Sequence, residues 1–92
     1  AGDTVVFKPS EETPHAGQLI AECLQEADLP AGVFNLIQGG RDVGAALLDQ
    51  PIDALMFTGS GAAGAHFRKK FADDPHVILA LELGGNNPLV VW

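Results

Sequence analysis

Four short apolar runs, 4–7, 33–37, 54–57 and 77–81, alternate with segments of helical character. Runs of this length, bounded by Gly, Pro, Asn and Asp, read as strands. Between the first two, Ala16, Leu19, Ile20, Cys23, Leu24 and Ala27 recur at three and four residues, which marks one helical face. Thr13-Pro14 opens that helix as cap and first-turn proline, and 28–32 closes it. A second helix is predicted over 43–48, after Gly39-Gly40, and Pro51 stops it. A third follows Ser60, with Ala63, Phe67 and Phe71 on one face. Its last turn carries Arg68, Lys69 and Lys70, where the helix dipole favours cations. The nearly all-apolar run 77–81 suits a parallel strand buried on both faces, and 89–92 reads as a fifth strand. The resulting order, β-α-β-α-β-α-β-β, predicts an α/β fold with an open parallel sheet and right-handed crossovers.

Ligands of such sheets bind outside the carboxyl ends of the strands. Those ends are 8–11, 38–40, 58–61 and 82–85, and the glycine-rich and polar features gather there. Phe57-Thr58-Gly59-Ser60-Gly61-Ala62-Ala63-Gly64 reads as strand, glycine turn and helix. Glycine lets the backbone turn and approach a ligand. Ser60 can cap the helix, whose free N–H groups then face a phosphate. Two readings stay open on this stretch: the pyrophosphate site of a dinucleotide in a Rossmann-like sheet, or an ordinary capped turn.

Glu82 ends the last buried run and precedes Gly84-Gly85. A carboxylate there is expected to be partly desolvated, which suits a general base; a hydrogen-bonded structural carboxylate is the plainer reading. Glu82 also lies about 20 residues beyond the glycine motif, where the dinucleotide fingerprint places a ribose acceptor. That motif normally follows the first strand of its unit, however, and here it follows the third. Glu11, after the first strand, is an equally good ribose acceptor.

Composition narrows the partners. The 92 residues carry a net charge of −7, which argues against nucleic acid or an anionic membrane as the main partner. One cysteine allows neither an internal disulfide nor a multi-cysteine metal site and fits a reducing, cytoplasmic compartment. On its helical face Cys23 reads as a small core residue. His15, His66 and His76 are scattered without metal-ligand spacing, and no metal is expected. No apolar run is long enough for a membrane span. Both ends of the chain run straight into apolar segments, so 1–92 reads as a partial domain of a longer chain. Edges left bare by such a cut predict self-association or cover by the rest of the parent.

Phe7-Lys8-Pro9-Ser10-Glu11, Phe57-Thr58-Gly59-Ser60 and Leu81-Glu82-Leu83-Gly84-Gly85-Asn86, in this order and spacing, resemble the aldehyde dehydrogenase superfamily. The resemblance covers the whole chain. Within that superfamily, the string from Glu82 to Pro88 together with Phe-Lys-Pro-Ser-Glu is most similar to succinylglutamate semialdehyde dehydrogenases of arginine breakdown.

The resemblance implies an NAD-binding domain and oxidation of a small-molecule semialdehyde through a cysteine thioester. By it, Lys8 and Glu11 hold the adenosine ribose of NAD, and Gly39 and Gly40 border the adenine. Gly59 and Ser60 meet the pyrophosphate. Glu82 activates the hydrolytic water, and Gly84 and Gly85 let their loop approach the nicotinamide side. It also implies a homo-oligomeric parent. Asn86 stands where many relatives have lysine, which matches the narrower group, and Gly61 is smaller than the residue usual there. The nucleophilic cysteine is expected beyond Trp92 and the oxyanion asparagine before Ala1, so the 92 residues alone are expected to be inactive. The alternatives are an inactive nucleotide-binding or structural fragment and a Rossmann dehydrogenase without covalent catalysis.

Overall fold

The computed structural model describes residues 2–85 and 88–92. The chain divides into two compact units, Ala1–Gln50 and Pro51–Trp92. Each contains one parallel strand pair joined by a helical crossover.

The first unit runs β1 (Val5–Phe7), α1 (Pro14–Glu26), β2 (Phe34–Leu36) and α2 (Arg41–Leu48). β1 and β2 pair in parallel with Val5 opposite Phe34 and Phe7 opposite Leu36. The Ile37 amide extends the ladder by donating to the Phe7 carbonyl at 3.0 Å. The Phe7 and Phe34 rings, 5.7 Å apart, pack within the pair. Pro14 occupies the first turn of α1 as expected, but the Thr13 side chain makes no capping bond. Asp28, just beyond the helix, adopts φ 55°, a left-handed conformation that Asp tolerates better than most residues.

The covered face of α1 differs from the one the large apolar residues indicate. Gly17 is buried, and Ala21 and Leu24 are half-buried. Leu19 and Ile20 are 61% and 46% exposed, and Cys23 is exposed rather than part of a core. The cause is Pro9. A Cβ on Gly17 would lie 2.5 Å from Pro9 Cγ, so the helix meets the loop after β1 through its smallest residue. The stripe one position around the helix is left outside.

α2 starts at Arg41, two residues earlier than its apolar pattern indicates, because extended Gly40 serves as its N-cap. Asp42 in its first turn complements the dipole.

The second unit runs β3 (Ala54–Gly59), α3 (Gly61–Lys70) and β4 (Ile78–Leu83). The strands pair in parallel from Ala54 opposite Ile78 to Gly59 opposite Leu83. Both extend two residues past their apolar runs, so Thr58 and Glu82 belong to the ladder. The Ser60 hydroxyl accepts from the Ala63 amide at 3.2 Å, the expected cap. α3 packs on this pair, with the Phe57 and Phe67 rings edge to face at 4.7 Å.

Burial alternates along both strands. Leu55, Phe57, Leu79, Leu81 and Leu83 are half-buried, whereas Ala54, Met56, Thr58, Ile78, Ala80 and Glu82 are exposed. β4 is therefore covered on one face rather than two. Residues 89–92 are exposed and form no strand; β-branched character marks a strand only where a partner completes its hydrogen bonds. Among the described residues, no helix is long and apolar enough to cross a membrane.

Gly64 and Gly61 make a controlled comparison. A Cβ on buried Gly64 would lie 2.5 and 2.7 Å from the Leu83 methyls and 3.1 Å from Leu83 Cγ. The branch point itself is close, so a rotamer change does not clear it. Overpacking of this kind costs about 1–3 kcal/mol, more than the roughly 0.5–1 kcal/mol that Ala gains over Gly in a helix. A Cβ on Gly61 meets nothing within 4 Å. Gly64→Ala is expected to lower the melting temperature of the full-length chain, and Gly61→Ala to leave it unchanged or raise it.

Candidate functional site

The carboxyl ends of β1 and β2 bring together Lys8, Glu11, Gly39 and Gly40. Lys8 organises them. Its ammonium, on a side chain only 19% exposed, donates to the Gly39 carbonyl at 2.7 Å and to the Pro9 carbonyl at 3.0 Å. Glu11 Oε2 lies 3.8 Å away on a side chain 56% exposed. Lys8 thus ties the end of β1 to the turn after β2 and sets a positive charge beside a carboxylate open to solvent. Gly39 adopts φ +149° and has the Val43 side chain where a Cβ would stand, so both conformation and space require glycine. A Cβ on Gly40 would lie 4.0 Å from Glu11 Oε1, which places this turn beside the Glu11 carboxylate.

The carboxyl ends of β3 and β4 bring together Thr58, Gly59, Ser60, Glu82 and Gly84. Phe57 folds its ring across Gly59, where a Cβ would stand. The glycine is therefore needed for packing as well as for the turn. The N–H groups of Gly61 and Ala62 open α3 without an intrahelical partner, as at any helix start. The space beside Gly61 is empty to 4 Å, and Ser60 is exposed. An anionic group has room to approach this end of the helix. Gly84 likewise has nothing within 4 Å of a notional Cβ.

Glu82 is exposed rather than partly desolvated. The apolar run ahead of it suggested burial. In the alternation of β4, however, Glu82 shares the open face with Ile78 and Ala80. Its register partner on β3 is Thr58, a residue to which sequence reasoning assigned no role. The signal was available: Thr58 and Glu82 each directly follow their apolar run.

The remaining features lie elsewhere. His15, His66 and His76 are exposed. No group of three His, Cys, Asp or Glu residues suited to a metal occurs among the described residues. An open groove of about 340 Å³ is lined by Ala21, Leu24, Leu29, Phe34 and Leu36 among others. It borders the residues that lead into β2, not those that leave it. Asn86 and Asn87 lie outside the described residues.

Comparison with known proteins places this geometry in a family. The sequence profile described as the aldehyde dehydrogenase family matches residues 1–92. The chain is 77% identical over 92 residues to N-succinylglutamate 5-semialdehyde dehydrogenase of Caulobacter sp. (strain K31), covering 100% of this chain and 19% of the relative. It is 58% identical over 92 residues to the protein of the same description from Klebsiella pneumoniae, covering 99% of this chain and 19% of that one. The chain thus spans about a fifth of the length of these curated relatives. Among solved structures, the NAD-dependent aldehyde dehydrogenase from Sinorhizobium meliloti superposes with a TM-score of 0.82 at 39% identity, over 92% of this chain and 17% of that one. Betaine aldehyde dehydrogenase from Staphylococcus aureus, in complex with NAD+, gives 0.79 at 37% identity, over 89% and 17%. An α/β chain with parallel strand pairs, matched from end to end by that profile, belongs to the aldehyde dehydrogenase family.

Proposed function

We propose that these residues supply the cofactor side and the general base of an NAD-dependent dehydrogenase that oxidises N-succinylglutamate 5-semialdehyde to the acid. The observation that carries the substrate is the 77% identity to the Caulobacter enzyme over 92 residues. Two features, one in each unit, support a dinucleotide: an exposed Glu11 carboxylate beside Lys8 and an open, Ser60-capped helix start. Each fits part of the group: the first suits ribose hydroxyls, the second a phosphate.

In this reading Glu11 accepts from the ribose hydroxyls and disfavours a 2′-phosphate by charge. Lys8 holds the Gly39 turn in place, and Gly39 and Gly40 border the adenine. Ser60, the Gly59 backbone and the first N–H groups of α3 receive the pyrophosphate. Held by these residues, NAD would supply the hydride acceptor for oxidation of the aldehyde. Glu82 takes a proton from water, which then hydrolyses the thioester on the cysteine nucleophile. Gly84 and Gly85 leave room beside Glu82. Both units serve one NAD-binding domain of a cytoplasmic homo-oligomer, whose remaining segments supply the nucleophile and the substrate contacts.

The test is NADH formation by the full-length chain. N-succinylglutamate 5-semialdehyde is expected to give a kcat/KM at least tenfold above that for an uncharged aldehyde of similar length. Equal values for the two aldehydes overturn the substrate assignment. No NADH formation with either overturns the dehydrogenase reading.

A further inference from the structure

We propose that Gln38 is a positioning residue for Glu11: its side-chain amide makes the second of two ties that fasten the turn carrying Glu11 to the backbone after β2. It thereby sets where a ribose 2′-hydroxyl is accepted and a 2′-phosphate refused. This rests on the reading of Glu11 as the ribose acceptor.

The loop between β1 and α1 contains a tight turn. The Thr13 amide donates to the Ser10 carbonyl at 3.0 Å, which puts Glu11 at the first central position. The Glu12 amide donates to Ser10 Oγ at 3.3 Å. These bonds are local, so they shape the turn without placing it. Its placement comes from the two ends of the loop. At the near end Lys8 donates to the Gly39 carbonyl at 2.7 Å. At the far end Gln38 Nε2 donates to the Pro14 carbonyl at 2.9 Å, across 24 residues. Gln38 and Gly39 are neighbours in the chain, so both ends of the loop are fastened to one short stretch of backbone and Glu11 lies between them.

The chemistry of the second tie is well matched. The acceptor is a carbonyl, so only the amide nitrogen of Gln38 can face it. A carbonyl has two lone pairs, and Pro14 can accept from Gln38 without giving up its bond within α1. Thr13 makes no side-chain cap at this helix start, so no local side chain does the work of Gln38. Gln38 is exposed, and a bond that exchanges with water adds little to stability. What it contributes is preorganisation. The Glu11 side chain is more than half exposed, so its position follows from the turn that carries it and from Lys8 beside it.

The experiment is isothermal titration of NAD and NADP into the full-length enzyme carrying Gln38→Met, Glu11→Gln or both, with melting temperatures alongside. Gln38→Met keeps the reach of the side chain and removes the donor. It is expected to raise the dissociation constant for NAD about threefold to tenfold and to narrow the preference for NAD over NADP, with the melting temperature unchanged. In the Glu11→Gln background no charge remains to be placed, so the same substitution is expected to change either constant by less than about twofold. Wild-type NAD affinity in Gln38→Met overturns the proposal. An equal loss in both backgrounds also overturns it and makes the bond a general support of the loop. If Gln38→Met does not fold, Gln38→Asn, which keeps the amide but falls one carbon short, carries the same cycle. Glu11→Gln separates the two levels: wild-type NAD affinity there removes the ribose reading and the proposal with it, whereas loss there with a wild-type-like Gln38→Met removes only the positioning role.

Discussion

Glu82→Gln in the full-length enzyme is expected to slow steady-state turnover by about two to four orders of magnitude, the usual contribution of a positioned base. The substitution is nearly isosteric. It keeps the β4 backbone paired with β3. It cannot take a proton. In the proposed mechanism oxidation of the aldehyde precedes the step that needs the base, so the first equivalent of NADH should still form as a burst. Stopped-flow absorbance then separates the phases: a burst of near-unit amplitude followed by a slow steady state. NAD affinity should hold, since Lys8 and Glu11 are untouched. Loss of NAD affinity with normal turnover of the loaded enzyme would place Glu82 on the cofactor instead.

Glu11→Gln addresses that alternative from the other side. Hydrogen bonds to a charged group contribute about 1.5–3 kcal/mol, so the dissociation constant for NAD is expected to rise roughly tenfold to a hundredfold. Removing the carboxylate also removes its repulsion of a 2′-phosphate, so the preference for NAD over NADP should narrow. The surrounding turn should survive the change. Lys8 keeps its bonds to the Gly39 and Pro9 carbonyls, and Glu11 itself is more than half exposed. Isothermal titration with each cofactor measures both effects. Unchanged NAD affinity would move the ribose contact to Glu82 and restore the reading in which this is a Rossmann dehydrogenase without covalent catalysis.

What could be read from the residues divides along the range of the forces involved. Ser60 was legible because capping is local: a serine before a helix meets an amide three residues on. The pairing of β1 with β2 followed from one helix between two short apolar runs. The start of α2 was missed because a glycine cap leaves no side-chain signature. The end of β4 was missed because a charged residue was taken as a stop. In a sheet with one open face, a glutamate at an outward position continues the ladder, and only Gly84 breaks it.

The face of α1 was misjudged for a different reason. Large apolar residues dominate a periodicity count, but the close contact is made by Gly17 on Pro9, and glycine adds nothing to such a count. The candidate site shows the same division. Type and position made Ser60 a candidate, and left Glu11 and Glu82 as equal ribose acceptors until the family resemblance favoured Glu11. The bond from Lys8 to the Gly39 carbonyl spans 31 residues and appears only once both turns are in space.

The strand register has a kinetic consequence. Each ladder joins strands separated by one helix and its turns, as Val5 with Phe34 and Ala54 with Ile78. Pairings closed over short stretches of chain carry a smaller loop-closure cost than long-range ones. On the ribosome, α1 and the β1–β2 ladder can be complete before β3 has emerged, and the β3–β4 ladder uses no partner strand beyond Leu83. The chain is ordered for vectorial assembly, each crossover helix sealing its own strand pair as it emerges. The apolar positions Met56 and Ile78, 84% and 68% exposed, stay bare when the ladder closes. The interval before they are covered is the window in which a nascent chain of this kind most needs a chaperone.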